Sequence, residues 1–445
     1  MQRPPAVQRS LELYHRAKAL IPGATQLISR RPSRFAYGVS PIYAARAQGA
    51  RIWDVDGGAY LDWMCGVGAI ILGYADPVVD AAVKEQIDRG TIFTLNHELE
   101  IELAEELVRT IPCAEMVRYA KGGGEACAIA VRIARGVTGR DKILFCGYHG
   151  WHDWYLAANL LDDHQLDDNL FPGIEPIGVP RALAGTAIPF RYGDLAMLEG
   201  LLQQHQGEVA GIIMEPMRSE RPPAGYLEGV RELATRFQVV LIFDEVSCGF
   251  RPALGGAQEW LGVTPDMAVF AKALSNGYPM GAVVGRREFM EPAGRMFISS
   301  LYWSDTVGII ADLTTIRELR RRNGVARMAH LTDLLREGLN AAAQEVGAPV
   351  QCLGTPAHLS LQFQIEDRLT QKQAITLYIQ EMAKRGMIAT TGIFVSCSHT
   401  EEDVAQTIEA ARESLALVQE GLAHHRLDDL LECEPQTDLF RRLVR

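Results

Sequence analysis

No stretch of the 445-residue chain comes near eighteen consecutive apolar residues, so no membrane-spanning helix is expected. Met1 to Ser10 has no apolar h-region, and no secretory leader is expected there. Basic residues are in deficit: 44 Lys and Arg stand against 55 Asp and Glu, a net charge of −11. The acidic excess is spread along the chain, which argues against nucleic acid or an anionic membrane as partner. Cysteine is sparse and scattered, at 65, 113, 127, 146, 248, 352, 397 and 433. That usage fits small buried hydrophobes in a reduced, cytoplasmic compartment rather than a disulfide framework. Cys146, His149, His152 and Asp153 have a spacing that a metal could use. However, no second tight ligand pair accompanies them, and the segment opens as a strand end that turns, so no metal is expected. Internal repeats and low-complexity segments are also missing.

What is present is ordinary globular material, 48% apolar and 22% charged, in a length that accommodates two or three domains. Short apolar runs alternate with amphipathic helical patterns. Strands are expected at Met116–Tyr119, Ile143–Cys146, Val209–Met214, Val239–Phe243 and Met267–Phe270. Helices are expected at Asp76–Gly90, Glu98–Thr110, Glu125–Val137, Leu195–Gln204 and Leu227–Arg236. Such alternation implies an α/β fold with a mostly parallel sheet. Ala45 to Tyr60 reads as a hairpin, Asp153 to Pro189 as a surface excursion, and Arg426 to Arg445 as a charged tail or extra helix. The pattern changes near Thr306. We therefore expect an N-terminal arm and part of a small domain over 1–65, a large α/β domain over 66–305, and a small α+β domain over 306–445. Thr400 with Asp403 is a helix N-cap pattern within the last.

Two of the apolar runs end in chemistry. Val239–Phe243 leads into Asp244, and Met267–Phe270 leads through Ala271 into Lys272. In an open α/β sheet, ligands collect at the carboxyl ends of parallel strands. A lysine and an acid at two such ends suit pyridoxal phosphate. Its aldehyde condenses with an amine, and its ring nitrogen must stay protonated for the ring to draw electrons. Gly122-Gly123-Gly124 ahead of a helix is a phosphate cradle, since glycines admit close approach and free N–H groups point outward.

Phe243-Asp244-Glu245-Val246, Gly249-Phe250-Arg251, Lys272 and Asn276-Gly277-Tyr278-Pro279-Met280-Gly281-Ala282 together resemble the class III aminotransferases, especially members like glutamate-1-semialdehyde aminomutase. The resemblance runs from about Ile21 to about Ala410. It implies the fold-type I architecture of pyridoxal phosphate enzymes and a homodimer with its active site at the interface. Lys272 would hold the cofactor and move protons, and Asp244 would face the ring nitrogen. Val246 and Tyr148 would flank the ring, with His149 and Glu215 nearby and Glu245 structural. The family carries a serine or threonine beside the phosphate-loop glycine, which this chain lacks. At the position from which the family sends a threonine to its partner's phosphate, this chain has Leu301, with Ser300 beside it. Either Ser300 substitutes or that contact is missing. Arg30 falls near a family arginine that pairs with a substrate carboxylate, with Arg31 and Arg34 competing, and Trp151 crowds the site mouth.

The resemblance implies amino transfer from an amino acid, glutamate by expectation, to an aldehyde or ketone. The lost hydroxyls suggest a specialised relative, and the Lys121-x-Gly123 loop with Tyr148-His149-Gly150-Trp151-His152-Asp153 resembles transaminases acting on an oxo-sugar or aminoglycoside-type acceptor. Glutamate-1-semialdehyde aminomutase, an epimerase or racemase, and a non-catalytic cofactor-fold binding protein are the alternatives.

Overall fold

The computed structural model describes residues 7–162, 164–167, 169, 173–217 and 220–436. Residues 163, 168 and 170–172 of the expected excursion, and 437–445 of the expected tail, lie outside the described residues. The chain divides into two compact units: one from Pro77 to Arg322, the other made of the segments before and after it.

The Pro77–Arg322 unit is built on a seven-stranded sheet. Its strands are β1 (Met116–Ala120), β2 (Lys142–Cys146), β3 (Ala187–Pro189), β4 (Val209–Met214), β5 (Val240–Asp244), β6 (Met267–Phe270) and β7 (Gly281–Gly285). Their order is β1-β7-β6-β5-β4-β2-β3. All neighbours are parallel except β7, which runs antiparallel to both β1 and β6. Every residue of β4, β5, β6 and β7 is buried, as continuous apolar strands covered on both faces require. β7 was not expected as a strand of its own, because a five-residue run bounded by glycines carries little period. β3 likewise emerges from the end of the expected excursion.

Six helices of this unit matter here: α1 (Pro77–Arg89), α2 (Glu98–Thr110), α3 (Gly123–Thr138), α4 (Leu195–Gln204), α5 (Tyr226–Arg236) and α6 (Thr306–Arg321). α2 buries Leu99, Leu103 and Leu107, the stripe its spacing demands, and His97 with Glu100 closes a capping box at its start. α3 presents Ala126, Ile129, Ala130, Ile133 and Ala134 to a core shared with Phe145, Ile213, Ile242, Val269 and Val283. The alanines let it lie close to the sheet. α6 is capped by Asp305, which accepts from the amides of Val307 at 3.3 Å and Gly308 at 3.2 Å. It packs on α1, α2 and the turn that carries Lys272. The unit boundaries therefore fall after Asp76 and Arg322 rather than after residues 65 and 305.

The other unit contains two sheets. Ala44–Gln48, Arg51–Asp54 and Ala59–Asp62 form an antiparallel meander where a single hairpin was expected, and Met387–Ile388 adds in parallel to Ala59–Asp62. Val350–Thr355, His358–Phe363 and Gly392–Phe394 form the second. Helix Glu401–Ala423 begins with the Thr400–Asp403 capping box. Just before it, His399 is fully buried and stacked on Trp63, with ring centroids 4.0 Å apart. Its Nδ1 accepts from the Ser396 amide at 3.1 Å, and its Nε2 donates to the Asp62 carbonyl at 3.1 Å. Among the described residues, no helix is long and apolar enough to cross a membrane.

Burial pushes the His399 pKa down to about 4, which the nearby Asp403 only partly opposes. The folded state then binds fewer protons than the unfolded chain between pH 4 and the ordinary histidine value of about 6.5. This contribution is fully present above that window and is lost as pH falls through it. Denaturant midpoints measured from pH 7 to pH 4 should show up to about 3 kcal/mol of acid-dependent loss, and His399→Gln should flatten that part of the curve.

Candidate active site

The carboxyl ends of the strands converge on one edge of the sheet. Asp244 is the last residue of β5, Glu215 follows β4 directly, and Lys272 lies just past β6. Tyr148 and His149 follow β2, and Lys121 with the glycines follows β1. β4, β5 and β6 are apolar and buried up to these polar residues, so the core fixes the backbone from which Glu215, Asp244 and Lys272 project.

Asp244 is buried and well connected. Its Oδ1 accepts from the Val246 amide at 3.0 Å, and its Oδ2 accepts from the Cys127 thiol at 3.3 Å. His149 Nδ1 lies 2.7 Å from the same Oδ2. Burial, with Asp244 adding to it, pushes the Cys127 thiol well up, which keeps it a donor. Trp154 stacks on the His149 ring at 6.3 Å, and Tyr155 meets it edge-on at 5.9 Å. The His149 and Cys127 contacts lie outside what spacing could show, since Asp244 is 95 and 117 residues away in sequence. His149 turns to Asp244, while His152 packs against Gly124.

Lys272 sits in a left-handed backbone conformation, φ 51°. Its Nζ donates to Ser247 Oγ at 2.8 Å, a partner the sequence reading missed. The side chain keeps some exposed surface but is densely surrounded. Burial pulls its pKa down, Glu215 and Asp244 push back, and Arg251 adds to the lowering. Glu245 points away from this edge. It is fully buried and holds Gln258 Nε2 at 2.9 Å, and burial raises its pKa to about 7.

The glycines interlock. α3 starts at Gly123 with Gly122 as its N-cap, and Gly122 O accepts from Ala126 N at 3.0 Å, so the amides ahead of Ala126 have no partner within the helix. A Cβ on Gly123 would come within 2.8 Å of Val246, which places that side chain over the loop. A Cβ on Gly150, where φ is +102°, would lie 2.6 Å from Gly124 Cα. One on Gly147, φ +116°, would strike Glu215 at 2.8 Å. The neighbouring Lys121 Nζ is held by Asp305 at 2.9 Å and the Pro279 carbonyl at 3.3 Å.

The other expected residues are more exposed. Tyr148 is partly exposed and meets Tyr155 edge-on at 6.0 Å. Trp151 is exposed and stacks on His152. Ser300 is exposed and precedes Leu301 and Tyr302, both also exposed. Arg30 belongs to the other unit, where it lines a cavity of about 160 Å³ with Tyr43, Asp54 and Ile388.

An amine beside a buried acid, a valine over a glycine loop and a helix start with free amides fit a flat, phosphorylated aldehyde. The sheet order with its one reversed strand, together with this set, defines a fold-type I pyridoxal phosphate enzyme. The aminotransferase class-III family model matches residues 35–414, and the chain belongs to that family. It is 37% identical over 424 residues to 3-aminobutyryl-CoA aminotransferase of Cloacimonas acidaminovorans, covering 93% of this chain and 98% of that one. It is 35% identical over 431 residues to glutamate-1-semialdehyde 2,1-aminomutase of Desulforamulus reducens, with 92% and 97% covered. Among solved structures, an omega-transaminase from Sphaerobacter thermophilus superposes with TM-score 0.82 at 29% identity, covering 93% of this chain and 98% of that one. The FumI protein of Sphingopyxis sp. MTA144, solved with PLP, gives TM-score 0.85 at 26% identity, covering 97% and 100%. The protein is thus a transaminase with pyridoxal phosphate as its cofactor.

Gly150→Ala should force the two glycine loops apart. Against a strain of about 1–3 kcal/mol, cofactor affinity should fall roughly tenfold or more in an equilibrium titration of the apoenzyme.

Proposed function

We propose that this class III aminotransferase takes an amino group from an amino acid, glutamate in the first instance, and delivers it to an oxo acceptor. The observation that carries this reading is Lys272: an amine of lowered pKa, held by Ser247 and set beside Asp244 on one sheet edge. Bound pyridoxal phosphate supplies an aldehyde and an electron-withdrawing ring. Lys272 is the amine that anchors it and, once released, the base that takes a proton from the amine-bearing carbon. Asp244 keeps the ring nitrogen's proton, and His149 and Cys127 hold Asp244 in place. Val246 and Tyr148 flank the ring, while the amides of Gly122, Gly123 and Gly124 take the phosphate. Glu215 tunes the charge near the lysine. Trp151 serves the substrate.

For the acceptor, we favour a carbonyl that is not part of an α-oxo acid. The oxo-sugar or aminoglycoside-type compound expected from the altered phosphate loop belongs to this class. So does a 3-oxoacyl thioester, the second reading, which the 3-aminobutyryl-CoA aminotransferase relative favours. Incubation with labelled glutamate, then with a panel of oxo-sugars, 3-oxoacyl thioesters and semialdehydes, separates these. Label in an amino sugar selects the first, in a 3-aminoacyl product the second, and isomerised semialdehyde without net transfer selects an aminomutase.

A homodimer is proposed as well. Phe297, Leu301 and Tyr302 expose large apolar surfaces close together in sequence, which a second copy would cover, bringing Ser300 to the partner's site. The eight free cysteines suit a cytoplasmic enzyme.

Lys272→Ala should abolish the visible band of the holoenzyme and lower turnover by about a thousandfold or more. Only the neutral amine accepts a proton, so activity should rise with pH through a value below the ordinary lysine range. Because the Glu215 charge raises the Lys272 pKa, Glu215→Gln should move that rising limb to lower pH in a pH–rate profile.

A further inference from the structure

The phosphate end of the site is short of side-chain donors. Three consecutive glycines offer backbone amides alone, and the adjoining Lys121 is held by Asp305 at 2.9 Å. Glu125, in the first turn of α3, turns its Oε2 back to the Lys121 amide at 2.7 Å. A phosphate dianion has more acceptor positions than a helix start can fill, and one more donor there would be charge-assisted.

His152 stands at that place. A Cβ on Gly124 would come within 3.3 Å of both His152 Nδ1 and Cε1, and one on Gly150 would lie 3.6 Å from Nδ1. The imidazole edge therefore occupies the crease between the two glycines, where a side chain at position 124 would otherwise project. Its Nδ1 is buried and has no hydrogen-bond partner among the described residues. A buried polar atom left without a partner is costly, and its usual explanation is a ligand or water that completes it. The Trp151 ring stacks on the imidazole at 4.7 Å and 22°, and so restrains it. Glu125 and Asp153 favour its protonated form, although burial acts more strongly the other way.

We propose that His152 is a cofactor-binding residue whose Nδ1–H donates to the phosphate of pyridoxal phosphate, filling the space that glycine leaves at position 124. The loop thereby exchanges a hydroxyl on the helix for an imidazole brought from the β2 end of the sheet. A larger residue at 124 would crowd His152, since its Cβ alone would come within 3.3 Å of the ring.

The test compares two ligands. Apoenzyme is titrated with pyridoxal phosphate and with pyridoxal, which lacks the phosphate, and binding is followed by the visible band of the lysine adduct. In the native enzyme the phosphate confers a large affinity ratio. His152→Ala should reduce that ratio about ten- to a hundredfold, the worth of one charge-assisted hydrogen bond, with pyridoxal binding unchanged. His152→Asn keeps an amide donor near the Nδ1 position and should retain most of the ratio. The ³¹P resonance of the bound cofactor should shift in the alanine variant. An equal fall of both affinities in either variant would reveal a packing role and overturn the proposal, as would an unchanged ratio in both.

Discussion

The Asp244 carboxylate offers about four acceptor positions at the end of a buried strand, and three are taken from within the described residues. The Val246 amide holds Oδ1, while Cys127 and His149 converge on Oδ2. The direction of the remaining acceptor is thereby fixed before any ligand arrives. Each partner comes from a different part of the sheet edge: the turn after β5, the first turns of α3, and the loop after β2. The carboxylate thus ties these three segments together. In a buried setting, loss of one partner costs about 1–3 kcal/mol, so the arrangement is cooperative.

How much of this was legible follows from the range of each interaction. Lys272 and Asp244 could be read because each ends an apolar run, and a strand end is a local property. The alternation of short runs and amphipathic helices likewise gave the parallel sheet. β7 escaped because its glycines mask the pattern, and its reversed direction has no local signature. Ser247 could have drawn notice only as a hydroxyl close behind Asp244; nothing local says that its hydroxyl reaches Lys272 Nζ. The change of pattern near Thr306 suggests a boundary there. The packing of α6 on α1 and α2 is a tertiary fact that the pattern does not carry.

The glycines show why composition alone misleads. Three in a row look like generic looseness, yet Gly123 and Gly124 answer to different neighbours. The first makes room for Val246 and the second for Gly150 and His152. Gly147 and Gly150 both adopt positive φ, where a side chain would be strained even in open space. Close approach of neighbouring segments, rather than flexibility, accounts for Gly123 and Gly124, whereas a Cβ on Gly122 would meet open space. It also explains how hydroxyls can be absent without the site falling apart, because the space is used for contact between backbone segments.

Lys272 shows how the scaffold holds an unusual backbone in place. A lysine at φ 51° with a half-buried amine carries a strain of about 1–3 kcal/mol. The residues that follow it, Ala273, Leu274 and Ser275, are buried, and α6 packs over their turn. Full burial of one leucine contributes about 1.5–3 kcal/mol, enough to offset that strain. Tyr278, at the end of the same turn, donates to Asp80 on α1 at 2.9 Å and anchors the segment to a second helix. The unusual backbone at the lysine is therefore held by packing remote from the reacting atoms. It follows that the amine is presented to the sheet edge by the protein itself, and that α6, from which no candidate site residue comes, helps to hold Lys272 in place.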